Sequence, residues 1–219
     1  MPKRNTGVEA RSNDEPRRYE EASPVHQDPV LDAARATVLD FGVRRATLTE
    51  VARRAGLSRM TVYRRYSDGN ELMRALMSRE FGAVLVEAQN RAAGLKDPLE
   101  RVVAGVSETL AMLMEHPLML RLLELEPEML LPYLTDRVGA FQRAGRQALA
   151  AWIAEAQELG AIRDGGPERL ASTIELAARG FVLAARTQSP PERDAVLREL
   201  ERMIEAYLTP DSRESDRAQ

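Results

Sequence analysis

Residues 47–72 read TLTEVARRAGLSRMTVYRRYSDGNEL, and the punctuation of this stretch decides the fold. Thr47 followed three residues later by Glu50 is a capping box. Its hydroxyl accepts from the N–H of residue 50, and the carboxylate reaches back to the N–H of residue 47. Leu48, Val51, Ala52 and Ala55 follow at helical spacing. Gly56 stands where the chain must reverse, at the post-helix position that takes positive φ. Leu57 plugs the space between two helices, and Ser58 caps the second. That helix, over residues 59–66, has Val62 and Tyr66 on one side, with Arg59, Thr61, Tyr63 and Arg64 spread over the rest. Asp68 caps a third helix whose Leu72 and Leu76 turn inward. Two short helices joined by a glycine turn form a helix-turn-helix, and its second helix fits the major groove of DNA.

Charge separates this reading from a plain helical hairpin. From residue 43 to residue 66 there are seven arginines (44, 45, 53, 54, 59, 64 and 65) against Glu50 alone, in a chain of formal net charge −3. A basic patch on an acidic molecule is the electrostatic footprint of phosphate binding.

Over residues 30–81 the chain resembles the DNA-binding domain of TetR (tetracycline-repressor) family transcriptional regulators. The resemblance rests on Ala33, Ala34, Phe41, Gly42, Thr47, Ala52, Gly56, Leu57, Ser58, Thr61, Val62, Tyr63, Tyr66 and Leu72. Family members commonly carry a phosphate-binding Lys just after the position of Asp68. Here Gly69 and Asn70 follow, so that contact is either missing or taken over by Arg64, Arg65 or Arg74. The resemblance implies an all-α fold, with an N-terminal three-helix DNA-binding domain over residues 28–72 (motif 48–66) and a helical effector-binding and dimerisation domain over 73–208.

The rest of the chain suits that plan. With 219 residues it is long enough for one small domain and one of ordinary size. It has no cysteine, which removes disulfides and thiolate metal sites, and no apolar run near the roughly 20 residues of a membrane span. A cytoplasmic protein is expected, with no membrane partner. Residues 1–27 read as a disordered arm and 209–219 as a flexible tail. Helical periodicity continues from residue 71 to 92, and from a Pro98 start to the stop at His116-Pro117. It resumes in short pieces over 118–126 and 127–134, then in long helices from Asp136 to Gly160, from Pro167 to about 186, and beyond Pro190-Pro191. No segment alternates with period two.

The Ala-rich helix with Gly180 and the last helix, with Val196, Leu197, Leu200, Met203, Ile204, Tyr207 and Leu208, are expected to pair with a second copy, as the resemblance implies. A homodimer presents two reading heads to a palindromic operator. The middle helices are expected to enclose a small-molecule effector among Met112, His116, Met119, Leu122, Met129, Tyr133, Phe141, Trp152, Ile174 and Phe181. Apolar residues at helical spacing are more often core than pocket, and for each of these positions core is the favoured reading. For DNA, Arg44, Arg45, Thr47, Ser58 and Tyr63 are expected on phosphates. Arg59, Met60, Thr61 and Arg64 are expected at base edges, and Arg65 in the same basic patch.

No enzyme is expected. There are two histidines, no HExxH, no glycine-rich phosphate loop and no nucleophile setting, and no cofactor is called for. A ligand-free regulator, an activator or a helical interaction protein would share the same fold.

Overall fold

A computed structural model describes residues 28–125, 140–184 and 188–210, and every regular element in them is helical. The arm at 1–27, Met129, Tyr133, Asp136 and the tail from 211 lie outside these residues. The elements are α1 (Pro29–Phe41), a 3-10 turn (Val43–Arg45), α2 (Leu48–Arg54), α3 (Arg59–Arg65) and α4 (Gly69–Ala92). They are followed by α5 (Pro98–Glu115), α6 (Pro117–Leu125), α7 (Ala140–Glu158), α8 (Pro167–Ala184) and α9 (Pro190–Leu208).

Local chemistry sets most of these boundaries. Asp28 caps α1, its Oδ1 accepting from Val30 N at 3.1 Å and Leu31 N at 3.3 Å. Thr47, Ser58, Asp68 and Asp97 cap α2, α3, α4 and α5 in the same way. Half of the expected capping box forms: Glu50 N donates to Thr47 Oγ1, but the Glu50 carboxylate turns to Arg53 instead of reaching back. A charged neighbour one turn along outcompetes a neutral N–H, and Thr47 N donates to Arg45 O. At the end of α2, Gly56 has φ 67°, Leu57 N donates to Ala52 O and Gly56 N to Arg53 O. This pair of bonds is the Schellman motif, which redirects the chain into α3.

Helices α1 to α3 pack around Ala34, Val38, Val51, Ala52, Val62 and Leu72, all fully buried. α4 then runs for 24 residues, about 36 Å at 1.5 Å per residue, from this head into the body. Its buried stripe moves along its length. Leu72, Met73 and Leu76 face the head, whereas Phe81, Val84, Ala88 and Ala92 face the body. At about 100° per residue the second set lies roughly a third of a turn around the helix from the first. One rigid rod is therefore gripped by two cores. In the body α4 packs on α5 and α7, α7 on α8, and α9 on α5 and α8. Arg163 ties down the end of α9: its N and Nε donate to Leu208 O (2.8 Å) and Tyr207 O (2.6 Å), with its guanidinium over the Tyr207 ring.

Candidate nucleic-acid interface and ligand cavity

α3 is anchored by one face and open on the others. Val62 is fully buried, and Tyr66 just beyond the helix is 5% exposed, so the two sit in the core of the head, where α3 packs on α2. The N–H of Thr61 donates to Ser58 Oγ, and the two hydroxyls meet at 2.8 Å. Arg59, Met60, Thr61, Tyr63 and Arg64 all face solvent, Met60 at 69% and Tyr63 at 49% exposure. An exposed Met and Tyr beside two arginines, on a helix this well anchored, is a surface shaped for a partner with both π-faces or methyls and negative charge.

Folding redistributes the basic patch. Arg53 pairs with Glu50, and Arg54 reaches Asp40 at 2.5 Å. Arg65, expected in the DNA-facing set, is engaged elsewhere. Its guanidinium forks onto Asp28, which is only 8% exposed, and stacks at 5.3 Å over Tyr66. It fastens the end of α3 to the start of α1. Arg59 and Arg64 have no ion-pair partner among the described residues, and Arg44, Arg45, Thr47 and Ser58 are exposed alongside them. Of the three arginines considered as replacements for the missing lysine at Gly69, Arg65 is held by Asp28 and Arg74 lines the cavity described next. All three are exposed, and among the described residues Arg64 alone of them neither pairs with a carboxylate nor lines the cavity.

Between α4, α5, α7 and α8 lies a cavity of about 620 Å³ with mostly apolar walls. This falls in the range of about 300–1,000 Å³ typical of small-molecule sites. Met119, Phe141, Trp152 and Ile174 line it, as expected of pocket residues. Met112, His116, Leu122 and Phe181 do not. Leu122 and Phe181 are buried in the core and Met112 packs against it, because their helix phase turns them to other neighbours.

His116 sits at the turn between α5 and α6, edge-on to Phe81 with ring centroids 5.5 Å apart. Its Nε2 is 3.7 Å from Glu80 Oε2. Burial, helped by Arg35, holds its pKa below the ordinary imidazole value, while Glu80 pulls the other way. Glu80 also accepts from Arg35 Nε at 2.7 Å and from Arg79, which reaches Asp32 on α1. This network ties the head to α4 beside the cavity.

Periodicity pointed to the middle helices but missed Arg74, Leu85, Gly105, Arg146, Glu175 and Arg179 in the lining. Gly105 is there for a reason: a Cβ on it would lie 2.5 Å from the Trp152 ring.

Residues 30–76 match the model of a family described as bacterial regulatory proteins, tetR family. An uncharacterized HTH-type transcriptional regulator of Mycobacterium bovis is 33% identical over 184 residues, covering 82% of this chain and 92% of the relative. Many solved structures share the fold, among them two at about a fifth sequence identity. One is a protein of unknown function from Rhodococcus sp. RHA1, with a TM-score of 0.63 and 21% identity, covering 86% of this chain and 100% of that one. The other is SmeT, repressor of the Stenotrophomonas maltophilia multidrug efflux pump SmeDEF, with a TM-score of 0.60 and 22% identity over 84% of this chain and 90% of that one.

Proposed function

Because this chain belongs to the tetR family of bacterial regulatory proteins, whose helix-turn-helix binds DNA, we propose that it is a homodimeric repressor. In this reading it holds a palindromic operator through α3, and a small molecule in the cavity releases it. The observation that carries the proposal is the presentation of α3, which is fixed by Val62 and Tyr66 and fully open at Arg59, Met60, Thr61, Tyr63 and Arg64. Arg59 and Arg64 suit guanine edges, and Met60 and the Thr61 methyl suit thymine. Arg44, Arg45, Thr47, Ser58 and Tyr63 flank them as backbone contacts.

Dimerisation is supported by what α8 and α9 leave uncovered. Leu176 is 58% exposed and Met203 51%, with Val196 and Gly180 also open. Apolar side chains on two neighbouring helices are stabilised when a second copy covers them. The release step works through α4. Its Met77, Phe81 and Leu85 line the cavity while its Leu72 and Leu76 sit in the core of the head. A guest that shifts the rod changes the spacing of two heads, and the coupling is the difference in guest affinity between the two spacings.

Selection of bound duplexes from a random pool tests this directly. The expected result is an inverted repeat whose half-sites lie about one helical turn, roughly 34 Å, apart or a multiple of it. An asymmetric consensus, or none, would overturn the dimeric-operator reading.

A further inference from the structure

The cavity's walls are apolar, yet the charge around it is one-sided. Among the described residues Arg74, Arg143, Arg146 and Arg179 contribute to its lining, against Glu175 as the one acid. Glu175 is already neutralised: both its oxygens accept from Arg179 Nη2, at 2.6 and 2.7 Å. Arg74 and half-buried Arg146 have no ion-pair partner among the described residues. Arginines concentrate around this cavity although the chain as a whole is acidic. A half-buried guanidinium bordering a low-dielectric cavity, as Arg146 is, favours a guest that brings its own negative charge, because each charge then escapes poor solvation by meeting the other. Exposed Arg74 adds a second positive charge to the lining.

We propose that the effector is an amphipathic anion. Its apolar body lies along Phe81, Val106, Leu110 and Trp152, and its carboxylate or phosphoryl head is held by Arg146 and Arg74. This rests on the reading of the cavity as the effector site and specifies the chemistry of that effector. A purely apolar guest would leave the two arginines unmatched. A cationic one would be repelled by them. The head meets α4 at Arg74, two turns beyond the Asp68 cap and next to the part of the rod gripped by the DNA-binding head.

Trp152 is the one tryptophan of the chain and lines the cavity, so its emission reports occupancy in the unmodified protein. The full-length protein is titrated with decanoate, decyl phosphate, decanol and decyltrimethylammonium. At least one anion is expected to bind about tenfold or more tightly than decanol, the size of effect that one charge-assisted hydrogen bond supplies. The ammonium is expected to bind weakest. Comparing decanoate with decyl phosphate tells which head the arginines prefer. Arg146→Gln and Arg74→Gln should remove the preference for the anion while leaving decanol binding as it was. Decanol binding as tightly as both anions, or an anion preference that survives both substitutions, overturns the anionic effector and leaves the cavity as an effector site. Silence of Trp152 toward all four amphiphiles overturns both.

Discussion

At Gly69 the chain lacks the lysine side chain that the family resemblance leads one to expect. A Cβ built there meets nothing within 4 Å, so a longer side chain enters open space at the start of α4. Gly69→Lys should therefore tighten binding to duplex DNA and steepen the salt dependence, log K against log salt, by about 0.9 for one added phosphate contact. An unchanged slope in titrations at several salt concentrations would place this position off the DNA.

His116 makes a second residue-scale prediction. Burial, with the Arg35 charge beside it, favours the neutral ring against the opposing pull of Glu80 and holds its pKa below the usual 6.5. The unfolded chain therefore takes up a proton before the folded one does. The stability contribution is complete above about pH 6.5 and is lost as the pH falls from there through the lower folded value. Melting of the wild type against His116→Gln between about pH 7.5 and 5 should show the wild type losing more on acidification. Parallel curves would contradict this.

What the sequence made legible at this scale was local. Thr47, Ser58, Asp68 and Gly56 act on atoms within four or five residues, and all four do what their types dictate. The fates of Arg65 and Arg54 were hidden, because their partners Asp28 and Asp40 lie 37 and 14 residues away and meet them only once α1 has packed.

Among the elements, α5 and α7 meet where Gly105 lets the Trp152 ring approach the backbone. Gly105→Ala forces the indole to move, at an overpacking cost of about 1–3 kcal/mol, partly offset by about 1 kcal/mol of better helix propensity. The expected signature is a changed Trp152 emission together with weaker binding of cavity guests. Unaltered emission and unaltered guest affinity would show that the ring has room the structure does not give it. Helical periodicity placed α4, α5, α8 and α9 nearly to the residue, because proline and aspartate mark their starts. It could not tell which apolar side chains line the cavity. Met119 and Leu122 sit on one short helix, and the packing of α6 on α1 and α5, unreadable from α6 itself, turns only Met119 to the cavity.

For the whole molecule, the reading needs two copies. Leu176→Glu or Met203→Glu puts a charge on the exposed stripe of α8 or α9 without touching the monomer's own core. Each variant should sediment as a monomer while melting as a folded, helical protein, and should lose affinity for the selected inverted repeat far more than for a single half-site. A variant that stays dimeric would move the interface elsewhere. In the proposed mechanism the two cores that grip α4 and the Glu80 network pass a change in the cavity to the head, and that function depends on what the head reads.

The presentation of α3 to the major groove is tested most directly by one comparison. The wild type and an Arg59→Ala, Arg64→Ala variant are titrated, at one salt concentration, with the duplex selected by the wild type and with a scrambled duplex of equal length. The variant is predicted to lose about 1–3 kcal/mol of preference for the selected duplex per lost base contact, with its dimer and its melting temperature intact. A double variant that discriminates between the two duplexes as well as the wild type would show that the sequence is read by some other surface.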